Sequence, residues 1–243
     1  ELCDFFLTCK ILSLDTETTS TNAIDAELVG LSFSTEESKA FYVPVPENKH
    51  EAQKIVDIFK EVYENPSILK IGQNIKYDIT VLRKYGVEMK GELFDCMIAH
   101  YLLQPELRHN MDYMAEAYLN YKTIHIDELI GHKGKSQKSM RDLSPIEVYE
   151  YACEDADITL KLYHILEPKL KELNIFNLFK DIEMPLINVL AEMEMNGVIL
   201  DTSSLTETSR ILQQRILEKE RKIYEEAGTS FNIASPKQVG EIL

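Results

Sequence analysis

The sequence predicts an α/β chain in which a mixed central sheet is flanked by helices and followed by a short all-helical segment. Three observations carry this expectation. Short runs rich in β-branched and aromatic residues recur at Ile11–Leu14, Glu27–Ser34, Lys39–Val43 and Ser67–Ile71. Only the polar Thr35–Ser38 separates the second run from the third, which favours an antiparallel hairpin, whereas a helix-patterned stretch precedes the fourth. Three strands, a helix and another strand suggest a mixed sheet covered by helices. From Phe176 onward the apolar pattern is helical throughout.

The first strand ends in Asp15-Thr16-Glu17-Thr18. Residues two apart share a face of a strand, so Asp15 and Glu17 point the same way, and their repulsion asks for a cation or a proton between them. A divalent metal held by oxygen ligands is the simplest compensator. In isolation the pair reads equally as a solvated strand end.

Pro44 and Pro46 end the hairpin, and His50–Tyr63 reads as a helix with Ile55, Ile58, Phe59 and Val62 on its packed side. The strand at Ser67–Ile71 runs through a turn at Gly72 into a helix reaching Gly86, with Asn74 as its cap and Ile75, Ile79 and Leu82 as its core face. Asp78 falls within that apolar pattern, where a lone carboxylate is expensive to bury; the alternative is a first-turn acid favoured by the helix dipole. Asp95 reads as the cap of a short helix from Cys96 to Leu103, and Asn110–Tyr118 as another helix whose methionines fill core.

Gly131–Arg141 is a basic loop in an acidic protein, either solvated or in contact with phosphate; it contains no phosphate-loop motif. Ser144-Pro145 opens a helix in which Tyr151 and Asp155, four apart, share a face, while Asp157 turns roughly 200° away. A boundary is expected between Pro168 and Ile175. A helix over Phe176–Asn196 follows, kinked at Pro185 and stopped at Gly197. Ser203–Ala227 reads as a long charged helix ended by Gly228, and Ser235-Pro236 starts one more. The opening at Glu1 close to a core strand, and the stop at Leu243 inside a helix, suggest a piece of a longer polypeptide, with further domain sequence beyond Leu243.

The chain has 243 residues, with 41 Asp and Glu against 26 Lys and Arg, for a net charge of −15. That balance disfavours indiscriminate coating of nucleic acid, but a carboxylate site loaded with metal reverses its own potential. Cys3, Cys9, Cys96 and Cys153 form no CxxC pair, as in a reduced cytosolic protein. The absence of an apolar run of membrane-spanning length argues against a helical membrane span.

Taken together, Asp15-x-Glu17, Asn74-x-x-Tyr77-Asp78 and Tyr151-x-x-x-Asp155 form an ordered set that resembles the DEDDy group of 3′ to 5′ exonucleases. The likeness extends through Leu28–Phe33, Gly72–Asp78, Tyr151–Asp157, Ile182–Leu186 and Phe231–Gln238 to the bacterial DNA polymerase I family, the family A DNA polymerases, and covers essentially the whole chain. The resemblance implies an RNase H-like exonuclease domain over residues 1–174 and the first helices of a polymerase thumb over 175–243. It implies proofreading of a frayed or single-stranded DNA 3′ end in the bacterial cytoplasm, with release of deoxynucleoside 5′-monophosphates. Polymerase activity would belong to palm and fingers beyond this segment.

By the same resemblance Asp15 bridges two divalent ions, Glu17 and Asp155 complete one site, Asp78 supports the other through water, and Tyr151 orients the attacking water. Mg2+ is expected, with Mn2+ as a substitute and Zn2+ admissible at one position. The substrate contacts implied are Thr16, Thr21, Asn74, Tyr77, Ile126, Lys133, Lys135, Lys138 and Arg141. Relatives often carry a leucine where this chain has Thr21 and an aromatic where it has Ile126, so a weaker grip on the terminal base is expected here.

Overall fold

The computed structural model describes residues 1–134 and 136–243. It contains the expected mixed sheet. Strand β1 (Ile11–Thr18) lies at its centre and pairs antiparallel with β2 (Leu28–Glu36), which pairs antiparallel with β3 (Lys39–Pro44). On the other side β1 pairs in parallel with β4 (Leu69–Gly72), and β4 with β5 (Leu93–Asp95), giving the order β3-β2-β1-β4-β5. This is an RNase H-like exonuclease fold followed by an all-helical region.

The two sheet faces are chemically different. On one, Leu14, Leu31, Phe33 and Phe41 stack with Phe6 of α1 (Leu2–Leu7) and Phe59 of α2 (Lys49–Glu64), with the Phe33 and Phe59 rings 5.2 Å apart. Such a pair adds about 0.5–1.5 kcal/mol to the area it buries. The other face receives α7 (Pro145–Glu172), which crosses β1, β2 and β3. The Ser144 and Glu147 side chains cap its start reciprocally, as the Ser-Pro opening predicts.

Between these lie α3 (Ile75–Arg83) and α4 (Cys96–Leu103). Asp95 caps α4 as expected, whereas the cap of α3 departs from expectation. Asn74 sits before α3 in the left-handed region at φ 60° and its side chain caps nothing. Asp95 does both jobs: its carboxylate accepts the Ile75 amide at 2.8 Å and the Ile98 amide at 3.1 Å, tying both helix starts to the end of β5.

After α4 come α5 (Met111–Met114), which runs into a π-helical turn over Ala115–Leu119, then α6 (Ile126–Ile130) and α7. Pro168 does not end α7; buried Leu166 and Leu170 carry it on to Glu172. The expected irregularity at Pro185 is a π-helical turn over Phe179–Glu183, between α8 (Phe176–Leu178) and α9 (Met184–Asn196). A wide turn there suits a residue that offers no amide hydrogen.

The packed unit runs from Glu1 to Asn196, because Phe179, Met184, Ile187 and Ala191 are buried on the same core. Packing therefore ends later than the boundary expected between Pro168 and Ile175. A second unit, Gly197–Leu243, comprises α10 (Thr202–Ala227), closed by Gly228 at φ 67°, and α11 (Pro236–Ile242). No described helix is long and apolar enough to cross a membrane.

Candidate active site

The sequence Asp-Thr-Glu-Thr divides its side chains between two helices. Asp15 and Glu17 face α7, while Thr16 and Thr18 face α3, as strand alternation requires. On the α7 side, carboxylate oxygens of Asp15, Glu17 and Asp155 all lie within 4.8 Å of one another. Burial pushes the Asp15 carboxyl up to about 6. Glu17 and Asp155 are also held well above the ordinary carboxylate range, first by burial and then by their acidic neighbours. Three acids gathered out of water with no base among them will bind protons or a cation.

Glu17 sharpens the point. It is 6% exposed, and its Oε1 is buried without a hydrogen-bond partner. An unsatisfied carboxylate oxygen in such a place costs about 1–3 kcal/mol or more unless something coordinates it. The donor set is all oxygen and fits a hard divalent cation, Mg2+ in particular.

Tyr151 stands one helical turn before Asp155, and its hydroxyl interacts with that carboxyl, lowering it against the effect of burial. Burial, then Asp155, Glu17 and Asp15, raise the phenol far above its ordinary range, so it remains a proton donor at neutral pH. Asp157 points elsewhere, as its position on the helix predicts: it accepts the Ser38 amide at 2.5 Å and the Lys161 ammonium, pinning the β2–β3 turn to α7.

Asp78 is not in the three-carboxylate group. Pairing of β1 with β4 stops at Ser13 opposite Ile71, leaving the edge of β1 open beyond it. Asp78 fills that gap, accepting the Thr16 amide at 3.0 Å and the Thr16 hydroxyl at 2.6 Å. These bonds lower its carboxyl, but burial and Asp15 outweigh them and hold it high. It is thus a neighbour of the cluster with one carboxylate oxygen, Oδ1, committed to the strand.

One residue earlier, the Tyr77 hydroxyl meets the Thr18 hydroxyl and the Ser20 carbonyl, fixing the segment that leaves β1. A cleft of about 590 Å3 opens beside this segment. Six of the sequence-predicted substrate contacts line it: Thr16, Thr21, Asn74, Tyr77, Ile126 and Lys138. Thr18 and Gln137 line it too and were not anticipated, although alternation past Glu17 places Thr18 with Thr16. Lys133 is exposed in the loop outside this lining, and Lys135 lies outside the described residues.

Arg141 lies apart from that lining. Its Nη1 donates to the Val45 carbonyl at 2.5 Å and its Nη2 to the Leu28 carbonyl, so the guanidinium clamps the backbone at the ends of β2 and β3. Two of its five N–H donors are thus committed to the backbone.

Comparison with known proteins places this arrangement. The family model described as 3′-5′ exonuclease matches residues 1–171. The chain belongs to the 3′-5′ exonuclease family. It is 38% identical over 245 residues to a DNA polymerase I of Pseudomonas aeruginosa, covering 96% of this chain and 27% of that protein. To a DNA polymerase I of Borreliella burgdorferi it is 36% identical over 247 residues, covering 100% of this chain and 26% of the relative. The chain thus spans about a quarter of the length of the curated relatives it matches.

Among solved structures, the polymerase domain of Pol1 from M. smegmatis in complex with DNA primer-template and dNTP superposes with a TM-score of 0.79 at 19% identity. That match covers 100% of this chain and 38% of the other. Brucella melitensis NrnC bound to pGG gives 0.63 at 20% identity over 78% of this chain and 87% of its own. At these identities the likeness is one of fold.

Proposed function

We propose that this 3′-5′ exonuclease chain hydrolyses the terminal phosphodiester of DNA from a frayed or single-stranded 3′ end, releasing deoxynucleoside 5′-monophosphates. In this reading it is the proofreading part of a bacterial, cytoplasmic polymerase of the DNA polymerase I kind. The exonuclease domain occupies residues 1–174, and 175–243 lead into the polymerase domain. The observation that carries the reading is the meeting of Asp15, Glu17 and Asp155 within 4.8 Å with a buried, unpartnered Glu17 oxygen.

Asp15, Glu17 and Asp155 would hold divalent ions, with Asp78 contributing from the Thr16 side. Bound there, such ions neutralise the phosphodiester and make water a competent nucleophile at neutral pH. The chain's own residues do the rest. Tyr151, kept protonated, holds the attacking water by donating or sharing a hydrogen bond and does not take its proton. The threonine segment tied down by Tyr77, with Asn74 and Ile126 opposite, receives the terminal nucleotide, and Lys138 at the cleft edge meets its phosphate.

A time course on DNA labelled at the 3′ or the 5′ end, beside matched RNA, with Mg2+, Mn2+ and chelator tests this. Immediate release of labelled monophosphate from the 3′ end of DNA, stopped by chelator, supports the proposal. Preferential digestion of RNA, or shortening from the 5′ end, contradicts it.

A further inference from the structure

Glycine and tyrosine on β2 and β3 form a device beside the acidic cluster that the family reading does not use. In the sheet, Asp15 pairs with Ser32 and Ser32 with Tyr42, so these three share the face covered by α7. One row along, Glu17 pairs with Gly30. The Tyr42 side chain leans diagonally across that row and occupies the space a side chain at position 30 would need: a β-carbon on Gly30 would lie 2.6 Å from Tyr42 Cζ. Gly30 is therefore bare where Glu17 needs a cross-strand neighbour, and the tyrosine ring supplies one.

The surroundings hold that ring in place. Tyr42 and Tyr151 pack on one small apolar cluster of Val29, Met140, Val148 and Ala152. The Tyr42 hydroxyl reaches the Val29 carbonyl at 3.4 Å, and the Val45 amide bonds the same carbonyl at 2.8 Å. Arg141 closes the frame by clamping Leu28 and Val45. Glu17, by contrast, has a buried oxygen with no partner of its own, so its direction is set by packing.

We infer that Tyr42, seated over Gly30, is a positioning residue that holds the Glu17 carboxylate toward Asp15 and Asp155 and so sets the cation affinity of the site. The inference rests on the metal-site reading above. The ring does the positioning, so phenylalanine should suffice and a smaller side chain should not. Groups that orient metal ligands are typically worth about 10–100-fold in metal affinity.

The test is a Mn2+ titration of the whole chain, followed by calorimetry or Mn2+ resonance, without substrate. Tyr42→Ala and Gly30→Ala should each weaken binding by about tenfold or more, while Tyr42→Phe stays within about twofold of wild type. In the double variant, Gly30→Ala should add little to Tyr42→Ala, because its effect runs through the ring. If Tyr42→Ala does not fold, Tyr42→Leu takes its place in the cycle. Wild-type affinity in folded Tyr42→Ala or Leu and in Gly30→Ala, or fully additive losses, overturns the inference. Asp155→Asn is the control: loss of binding there with no effect at position 42 sinks only the positioning role, whereas intact binding in Asp155→Asn sinks the metal site itself.

Discussion

Replacing Asp15 by Asn removes a charge that the cation-free fold holds unfavourably. The Asp15 carboxyl is raised from 3.8 to about 6 by burial, against the lowering effect of the Thr16 amide. A folded-state value above the unfolded one means that folding takes up a proton. Its favourable contribution is complete below the unfolded value and is lost as pH rises through about 6. The difference, at about 1.4 kcal/mol per pKa unit, comes to about 3 kcal/mol by pH 7.5, trimmed to about 2–3 because Asp15 is half-buried. For a unit of this size that corresponds to a shift of about 5–10 °C in the unfolding midpoint.

The assay is thermal unfolding in EDTA from pH 4 to 8. Asp15→Asn should match wild type near pH 4 and exceed it by those few degrees at pH 7.5. Mg2+ should reverse the ranking, since a cation at a thousand times its dissociation constant adds about 4.1 kcal/mol to the wild type. An Asn variant that is less stable than wild type in EDTA at pH 7.5, or a gain independent of pH, would refute the reasoning.

Further perturbations separate structure from chemistry. Asp95 is also raised to about 6 by burial, yet it carries the caps of α3 and α4, so Asp95→Ala should lose about 2–3 kcal/mol in urea denaturation, with or without Mg2+. A neutral result would remove its capping role. Arg141→Ala should lower stability by about 1–3 kcal/mol and leave the salt dependence of DNA affinity unchanged, measured by fluorescence anisotropy across salt concentrations. A shallower salt slope would return Arg141 to the substrate. Thr21→Leu adds apolar surface to the cleft and should tighten single-stranded 3′-end binding about threefold to tenfold in KM, with kcat little changed. No gain would count against a weak grip at this position.

The two halves of the three-carboxylate site were legible from short periodicities, and their meeting was implied only by the resemblance to the 3′ to 5′ exonucleases. Alternation in β1 puts Asp15 and Glu17 on one face, and a four-residue step in α7 puts Tyr151 beside Asp155. What escaped depends on where elements stop and what they meet. Asp78 is directed to the Thr16 amide because β4 ends at Gly72 and leaves that edge open, a tertiary fact with no local signal. Arg141 reads as basic loop until β2 and β3 bring the Leu28 and Val45 carbonyls to it.

Asn74 has the residue type of a cap, but its left-handed backbone hands that task to Asp95 from a different strand. Pro168 lies inside α7, where buried leucines on either side sustain the helix to Glu172, within the boundary expected between Pro168 and Ile175. The seating of Tyr42 over Gly30 needs the register of three strands at once, so neither residue stood out alone.

The central claim is that Asp15, Glu17 and Asp155 form a cation site that cleaves the terminal phosphodiester. It is tested most directly by the shortening of 5′-labelled single-stranded DNA by wild type, Asp15→Asn and Asp155→Asn, with Mg2+ titrated from chelator upward. Stepwise shortening that appears only with Mg2+, and falls by at least about a thousandfold in each variant, is the predicted result. Undiminished shortening in either variant, or shortening that survives chelation, would contradict it.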